Sequence, residues 1–137
     1  MTKSDDLKLA RLESFDLIPR YLLEQVKGAN WTPELLYEWG PALGQSPLQL
    51  IYGMTGPDKT IYGLLWATVN PVVDGIVLNV ISVDPAYQDH VILKKATGFL
   101  RGKLKELGLL KLYATTTRPR AAERMGWVRT NMIMMEA

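Results

Sequence analysis

The side chains that could move a proton or hold an anion lie mostly in the second half of the chain. His90 is the only histidine, and an imidazole of ordinary basicity suits a general base near neutral pH. Asp84 offers a second base, although an Asp-Pro step after an apolar run also serves as turn chemistry. Lys94 and Lys95 follow in the next helical turns as charges for a phosphate. Arg118, Arg120, Arg124 and Arg129 form a further group that could clamp a carboxylate or phosphate, or line a protein or nucleic-acid contact. Each has a plainer use: His90 as a surface or capping residue at a helix start, and the lysines and arginines on solvated helix faces. With one histidine and no cysteine, disulfides, thiolate metal sites, a cysteine nucleophile and the usual zinc patterns are excluded, so no metal is expected. No Gly-x-Ser-x-Gly elbow, Walker loop or paired-glycine dinucleotide fingerprint occurs.

Composition limits the setting for this chemistry. The 137 residues suit one domain, 1–137, with a usable core, and 47% hydrophobic against 22% charged is ordinary for a globular protein. No apolar run approaches the ~20 residues of a membrane span. Residues 1–6 lack the basic and then apolar regions of a signal peptide. A cytoplasmic location is the expectation. The net charge of +2 conceals an asymmetry: residues 1–89 carry 6 basic and 11 acidic side chains, residues 90–137 carry 10 basic and 3 acidic. A basic second part attracts phosphates, acidic proteins or nucleic acid, or simply keeps the surface soluble once the two parts interleave.

The elements that must position these residues follow from periodicity. Leu7–Glu13 reads as a strand. Ser14 or Asp16 caps a helix running to Lys27, with Leu17, Ile18, Tyr21, Leu22 and Val26 at helical spacing and Pro19 in its first turn. Thr32-Pro33-Glu34 opens a second helix, which should stop at Gly40-Pro41; Trp31 and Trp39 flank it, as core or as an exposed, adhesive face. Leu48–Met54, Thr60–Val69 and Ile76–Val83 read as an antiparallel meander. The unbroken apolar run of the third suits a strand covered on both faces. Asp89–Leu107 is the longest helix, with Leu93, Ala96, Leu100, Leu104 and Leu107 as its apolar stripe and Gly108 as its cap. Leu109–Thr115 reads as a strand, Pro119–Met125 as a short helix and Trp127–Met135 as a final strand, its methionines in the core. The expected class is α/β (α+β), a mixed and mostly antiparallel sheet with helices on both faces.

This order, together with Val80-Ile81-Ser82-Val83-Asp84-Pro85-Ala86-Tyr87-Gln88 leading into a long helix, resembles the GNAT N-acetyltransferase superfamily. Ala121-Ala122-Glu123-Arg124-Met125-Gly126-Trp127 is similar to that family's ending before its last strand. The resemblance spans residues 7–136. It implies that the central strands part near residues 80–84 to admit the pantetheine arm of acetyl-CoA. It also implies that a loop carrying Gln/Arg-x-x-Gly-x-Gly/Ala holds the pyrophosphate on main-chain N–H groups at the helix start. If coenzyme binds, Val83, Gln88, Asp89, His90, Val91 and Lys94 are the residues placed against it.

The departures from the family pattern carry the functional expectation. Gln88 matches, but Val91 and Leu93 occupy both small-residue positions. β-branched Val91 resists positive φ, and Asp89 brings negative charge to an anion site, or caps its own helix. The family's acid, a tyrosine that protonates the leaving thiolate, falls on Ala122, which cannot donate a proton. Tyr113 and Tyr87 are the available substitutes, with His90 and Asp84 as bases. The expectation is therefore a GNAT-like protein that has lost acetyl-CoA catalysis and binds no cofactor. It would act through protein partners or as a homo-oligomer, in the manner of phage-encoded, virion-associated members. The alternative is an acyl-CoA-dependent N-acyltransferase with an unconventional site, using acetyl-CoA. Neither membrane nor nucleic acid is an expected partner.

Overall fold

A computed structural model of the chain describes residues 3–26, 32–88, 91–114, 119–124, 126–130 and 135–137. Five strands form one sheet in chain order: β1 (Lys8–Arg11), β2 (Gln49–Thr55), β3 (Ile61–Asn70), β4 (Gly75–Val83) and β5 (Lys111–Ala114). The first four are antiparallel neighbours, and β5 runs parallel to β4. Helices α1 (Arg20–Glu24), α2 (Pro33–Leu43), α3 (Ile92–Leu107) and α4 (Pro119–Arg124) complete the described elements. This is the mixed, mostly antiparallel α/β architecture that the apolar periods imply. No described helix is long and apolar enough to cross a membrane.

Two cores flank the sheet. Ala96, Leu100 and Leu104 of α3 pack on Leu50, Tyr52, Met54, Leu65, Ala67, Ile76, Leu78 and Val83. Leu22 and Leu23 of α1 and Leu36 of α2 pack on Ile51, Leu64, Trp66 and Val80 of the other face. Both faces of β2–β4 are therefore buried, which explains why these strands read as continuous apolar runs rather than as alternation.

Two one-residue irregularities set which side chain faces which core. Along β3–β4, Trp66 pairs with Val80 and Ala67 with Leu78, leaving Asn79 as an extra residue. Ile76 and Leu78 thus face the α3 side while Val80 faces α1, a switch that strict alternation forbids and a bulge permits. Asn79 is held by a polar chain: its amide donates to the Thr68 hydroxyl (2.7 Å), Thr68 donates to Gln49 Oε1 (2.9 Å), and Trp66 Nε1 donates to the same oxygen (2.6 Å). Tyr62 is the extra residue between β3 and β2.

Three elements differ from the sequence expectation. The helix expected over Ser14–Lys27 is broken. Ser14 caps a single 3-10 turn, Phe15–Leu17, and Ile18 is extended (ψ 123°) before α1 begins after Pro19. A residue preceding proline is pushed out of the helical region, so Pro19 divides the segment instead of sitting in its first turn. The second helix keeps its Thr32 cap and Pro33 but runs through Pro41 to Leu43. Pro41 has no N–H to give the carbonyl four residues back, yet the helix continues past it, with Gly44 N–H on Gly40 O (2.9 Å). Gly40 is not a stop but a seat, since a Cβ there would stand 2.2 Å from the Phe15 ring. The final strand is not among the described elements: Trp127–Thr130 lies outside any strand, and residues 131–134 are outside the described set. Gly126 (φ 93°) closes α4 with a left-handed helix end, in which Trp127 N–H bonds Ala122 O. Met135 is 84% exposed, not core, and Met132 and Met134 lie outside the described residues. Trp39 is 52% exposed, as an adhesive face requires; Trp31 is outside the set.

Candidate functional site

The ladder between β4 and β5 is described as far as Ala114. Four pairs run from Gly75–Lys111 to Leu78–Ala114, and β4 then continues past the Asn79 bulge to Val83 with no described strand beside it on that flank. The β5 end is pinned at the opposite end of β4, where Asp74 O accepts from Leu110 N–H (3.2 Å) and Lys111 N–H (3.0 Å). Asp84 N–H bonds Tyr62 O at 2.7 Å. By antiparallel alternation, Val83, opposite Gly63, then turns its own N–H and C=O away from β3 and toward that flank.

That flank is not bare. Val83 O accepts from two side-chain amides, Gln25 Nε2 at 3.1 Å and Gln88 Nε2 at 2.8 Å. Gln25 also donates to Ser82 Oγ (3.1 Å), and the buried Ser82 hydroxyl donates to Leu22 O. The end of α1 is thus stitched to the end of β4 by polar groups that satisfy one another in an apolar setting. A serine inside a mostly apolar run is the one sequence signal that could have pointed to this seam. Tyr21 and Gln25 gave none, because their partners lie about sixty residues away.

Asp84 is fully engaged. Its Oδ1 accepts from Ala86 N–H (2.8 Å), capping the turn Pro85–Tyr87, and its Oδ2 accepts from the Tyr21 hydroxyl (2.7 Å). Desolvation and the neighbouring Asp84 carboxylate push the Tyr21 phenol up to about 12, so it stays protonated and donating across the neutral range. Raising the folded pKa of an acid favours its neutral form. The Tyr21 contribution is therefore complete below the ordinary phenol value of 10.0 and is lost as pH climbs through about 12. Tyr21 is 38% exposed, so screening keeps the slope shallow. Urea unfolding of the native chain and of Tyr21→Phe between pH 8 and 12 should show a decline above pH 10 that the variant lacks. Nearby, Tyr62 donates to Asp58 (2.6 Å), which holds that carboxyl below its usual range, and the Tyr62 and Tyr87 rings pack at 4.7 Å.

The residues singled out from sequence do not assemble into one site. Val83, Asp84 and Gln88 meet at the end of β4, whereas Asp89 and His90 lie outside the described residues. The N-cap position of α3 is Val91, not Asp89; its φ is −94°, so no left-handed turn is asked of it, and it offers no side-chain cap. Lys94 is exposed, and Lys95 donates to Leu7 O, tying the chain start to α3. Tyr113 stands opposite Val77 with its hydroxyl on Val73 O (3.3 Å), so its backbone lies about 23 Å along β4 from Asp84 at ~3.3 Å per residue. Tyr87 packs its ring on Tyr62. Ala122 lies on α4, and Arg129 pairs with Glu123 (2.7 Å), which removes one member from the arginine group.

No family model matches the chain, and no curated protein matches it. Solved structures do. An aminoglycoside 6'-N-acetyltransferase of Acinetobacter baumannii superposes with a TM-score of 0.70 at 11% identity, covering 96% of this chain and 97% of its own. A spermidine/spermine N-acetyltransferase of Vibrio cholerae gives 0.65 at 17%, covering 91% and 78%. An aminoglycoside N-acetyltransferase in complex with CoA gives 0.68 at 13%, covering 96% and 93%. At these identities the likeness establishes the fold: the chain has the GNAT N-acetyltransferase architecture.

Proposed function

We propose that this chain uses the N-acetyltransferase fold without acyl-CoA catalysis, as a module that contacts other proteins. The observation that carries the reading is the double occupation of Val83 O by Gln25 and Gln88. That oxygen lies on the flank where the resemblance places the pantetheine arm, and the chain's own amides already fill it. The rest of the neighbourhood agrees. Lys95 is turned to Leu7 O, Asp84 is consumed by a cap and by Tyr21, and Ala122 supplies no proton. The residues present do not fit the coenzyme. A protein of this kind would work in the cytoplasm or within a phage particle, bound to partners or to copies of itself.

Isothermal titration with acetyl-CoA tests this. No saturable heat is expected at millimolar coenzyme; micromolar binding that Val91→Asp abolishes would overturn the reading.

One observation favours an enzyme instead. The solved structures that superpose on the chain include N-acetyltransferases, one of them in complex with CoA. In that case Tyr21, beside Asp84, replaces the missing acid, and Tyr21→Phe should lower the turnover of any acetyl transfer while leaving coenzyme affinity unchanged.

A further inference from the structure

A cavity of about 210 Å³ opens between the turn Phe15–Leu17 and the end of α2, beside Ile51 of β2. It is distinct from the seam at the end of β4. Ile51 pairs with Trp66 and Trp66 with Val80, so Ile51 stands two strands across and three residues along from Val83. Both walls are fixed. Leu12 N–H bonds Ile51 O (3.1 Å), holding the chain after β1 to the sheet. Gly40 receives the Phe15 ring, holding the turn against α2. Leu12, Phe15 and Ile51 also line the cavity, giving it an apolar side.

The rest of the lining carries negative charge. Glu13 and Asp16 both belong to it, and among the described residues neither has a basic partner. The nearest basic residues in the chain are engaged elsewhere: Arg11 donates to Gln49 O (3.2 Å) and Arg20 pairs with Glu24 (3.0 Å). Ser14 Oγ accepts from Asp16 N–H (3.3 Å), which fixes the backbone that carries Asp16. Pro41 and Gly44 bring the C-terminal end of α2 to the cavity, and no basic residue in its last turn offsets the negative end of the helix dipole.

We propose that this cavity binds a primary alkylammonium, with its stem on Leu12, Phe15 and Ile51 and its charge beside Glu13, Asp16 and the end of α2. A free aliphatic amine and the lysine side chain of a partner share this chemistry. The apolar side and the negative side together select it. A bare divalent cation would leave the apolar side unused and wants more oxygen ligands than two acidic residues supply, and no metal-holding group of three occurs among the described residues. Anions are repelled by all three sources of negative potential. The space equals about seven waters at ~30 Å³ each, enough for an unbranched stem and its ammonium. The inference goes beyond the protein-contact reading and does not depend on it.

The test titrates pentylammonium into the isotope-labelled full chain at neutral pH and follows the amide resonances. Pentanol serves as the uncharged probe of nearly equal shape. Shifts at residues 12–16 and 44–45 should saturate, with a Kd on the order of millimolar for so small a ligand. Pentanol should give no saturable shift, and added salt should weaken the amine. Glu13→Gln/Asp16→Asn keeps the shape of the cavity and should weaken binding about fivefold, with an unchanged thermal midpoint as the control for folding. Tyr21→Phe, at the end of β4, should bind pentylammonium as the native chain does. Capped lysine distinguishes the sources: tighter binding than pentylammonium assigns the site to a partner's side chain, weaker binding to a free amine. No saturation, pentanol binding equally well, an unaffected double variant, loss of binding in Tyr21→Phe, or a larger response to magnesium would each overturn the assignment. Coenzyme binding, measured separately, would sink the non-catalytic reading and leave this result standing.

Discussion

Gly75→Ala should lower the free energy of unfolding by about 3 kcal/mol, the upper end of what overpacking a rigid site usually costs. A Cβ at Gly75 would lie 2.4 Å from Lys111 O and 2.8 Å from the Tyr113 ring. The first neighbour is main chain and cannot rotate away, and Asp74 O immediately before it holds both Leu110 and Lys111 N–H. The methyl group therefore acts at the first of the four described pairs that hold β5 beside β4. Urea denaturation with an unchanged m-value would report the loss as stability rather than altered compactness. Amide exchange at Lys111–Ala114 should rise more than at the β2–β3 ladder. A variant within about 0.5 kcal/mol of the native chain would show that β5 is not fixed by this contact.

Much of the architecture was legible in the sequence, because it depends on periods that survive tertiary context. The continuous apolar runs of β2–β4, the stripe Ala96-Leu100-Leu104 and the Gly108 cap each follow from burial on two faces, burial on one face, and a left-handed helix end (φ 70°). What periodicity could not give was the phase. Asn79 and Tyr62 are extra residues, and each shifts every later side chain of its strand to the other face. Proline was misjudged in both directions, since its effect depends on position. Before α1 it forces Ile18 to extend, whereas in α2 the helix runs on past Pro41 to Leu43 despite the bond it removes. The candidate site was legible only at Val83, Asp84 and Gln88, which are close in sequence. Its other half, Tyr21, Leu22 and Gln25, arrives through side-chain contacts with Ser82–Asp84 that no local pattern encodes.

That other half yields the second large effect. Leu22→Ala should cost about 3 kcal/mol, the middle of the range for deleting a fully buried leucine, because Leu22 is 0% exposed at the centre of the α1 side of the sheet. Helix α1 has only five residues, far below the length at which a helix holds itself together in water, so it owes its shape to this seat and to the seam. Ser82 donates to Leu22 O whatever side chain residue 22 carries, and the variant therefore keeps the hydrogen bond while losing the packing. Ser82→Ala does the reverse, at about 1–2 kcal/mol. The two groups meet at one point, so the double variant should fall short of the sum by at least 0.5 kcal/mol, the coupling expected of residues in contact. Leu100→Ala removes the same volume from the α3 side and should add to Ser82→Ala without coupling. Hydrogen exchange gives the readout that bulk stability cannot. In Leu22→Ala the α1 amides and the Gln25 side chain should open well before α3 does, baring Val83 O, whereas in Leu100→Ala the order should reverse. If α1 opens together with α3 in both variants, helix and strand end form one cooperative unit and the seam is not a separable cover over the strand edge.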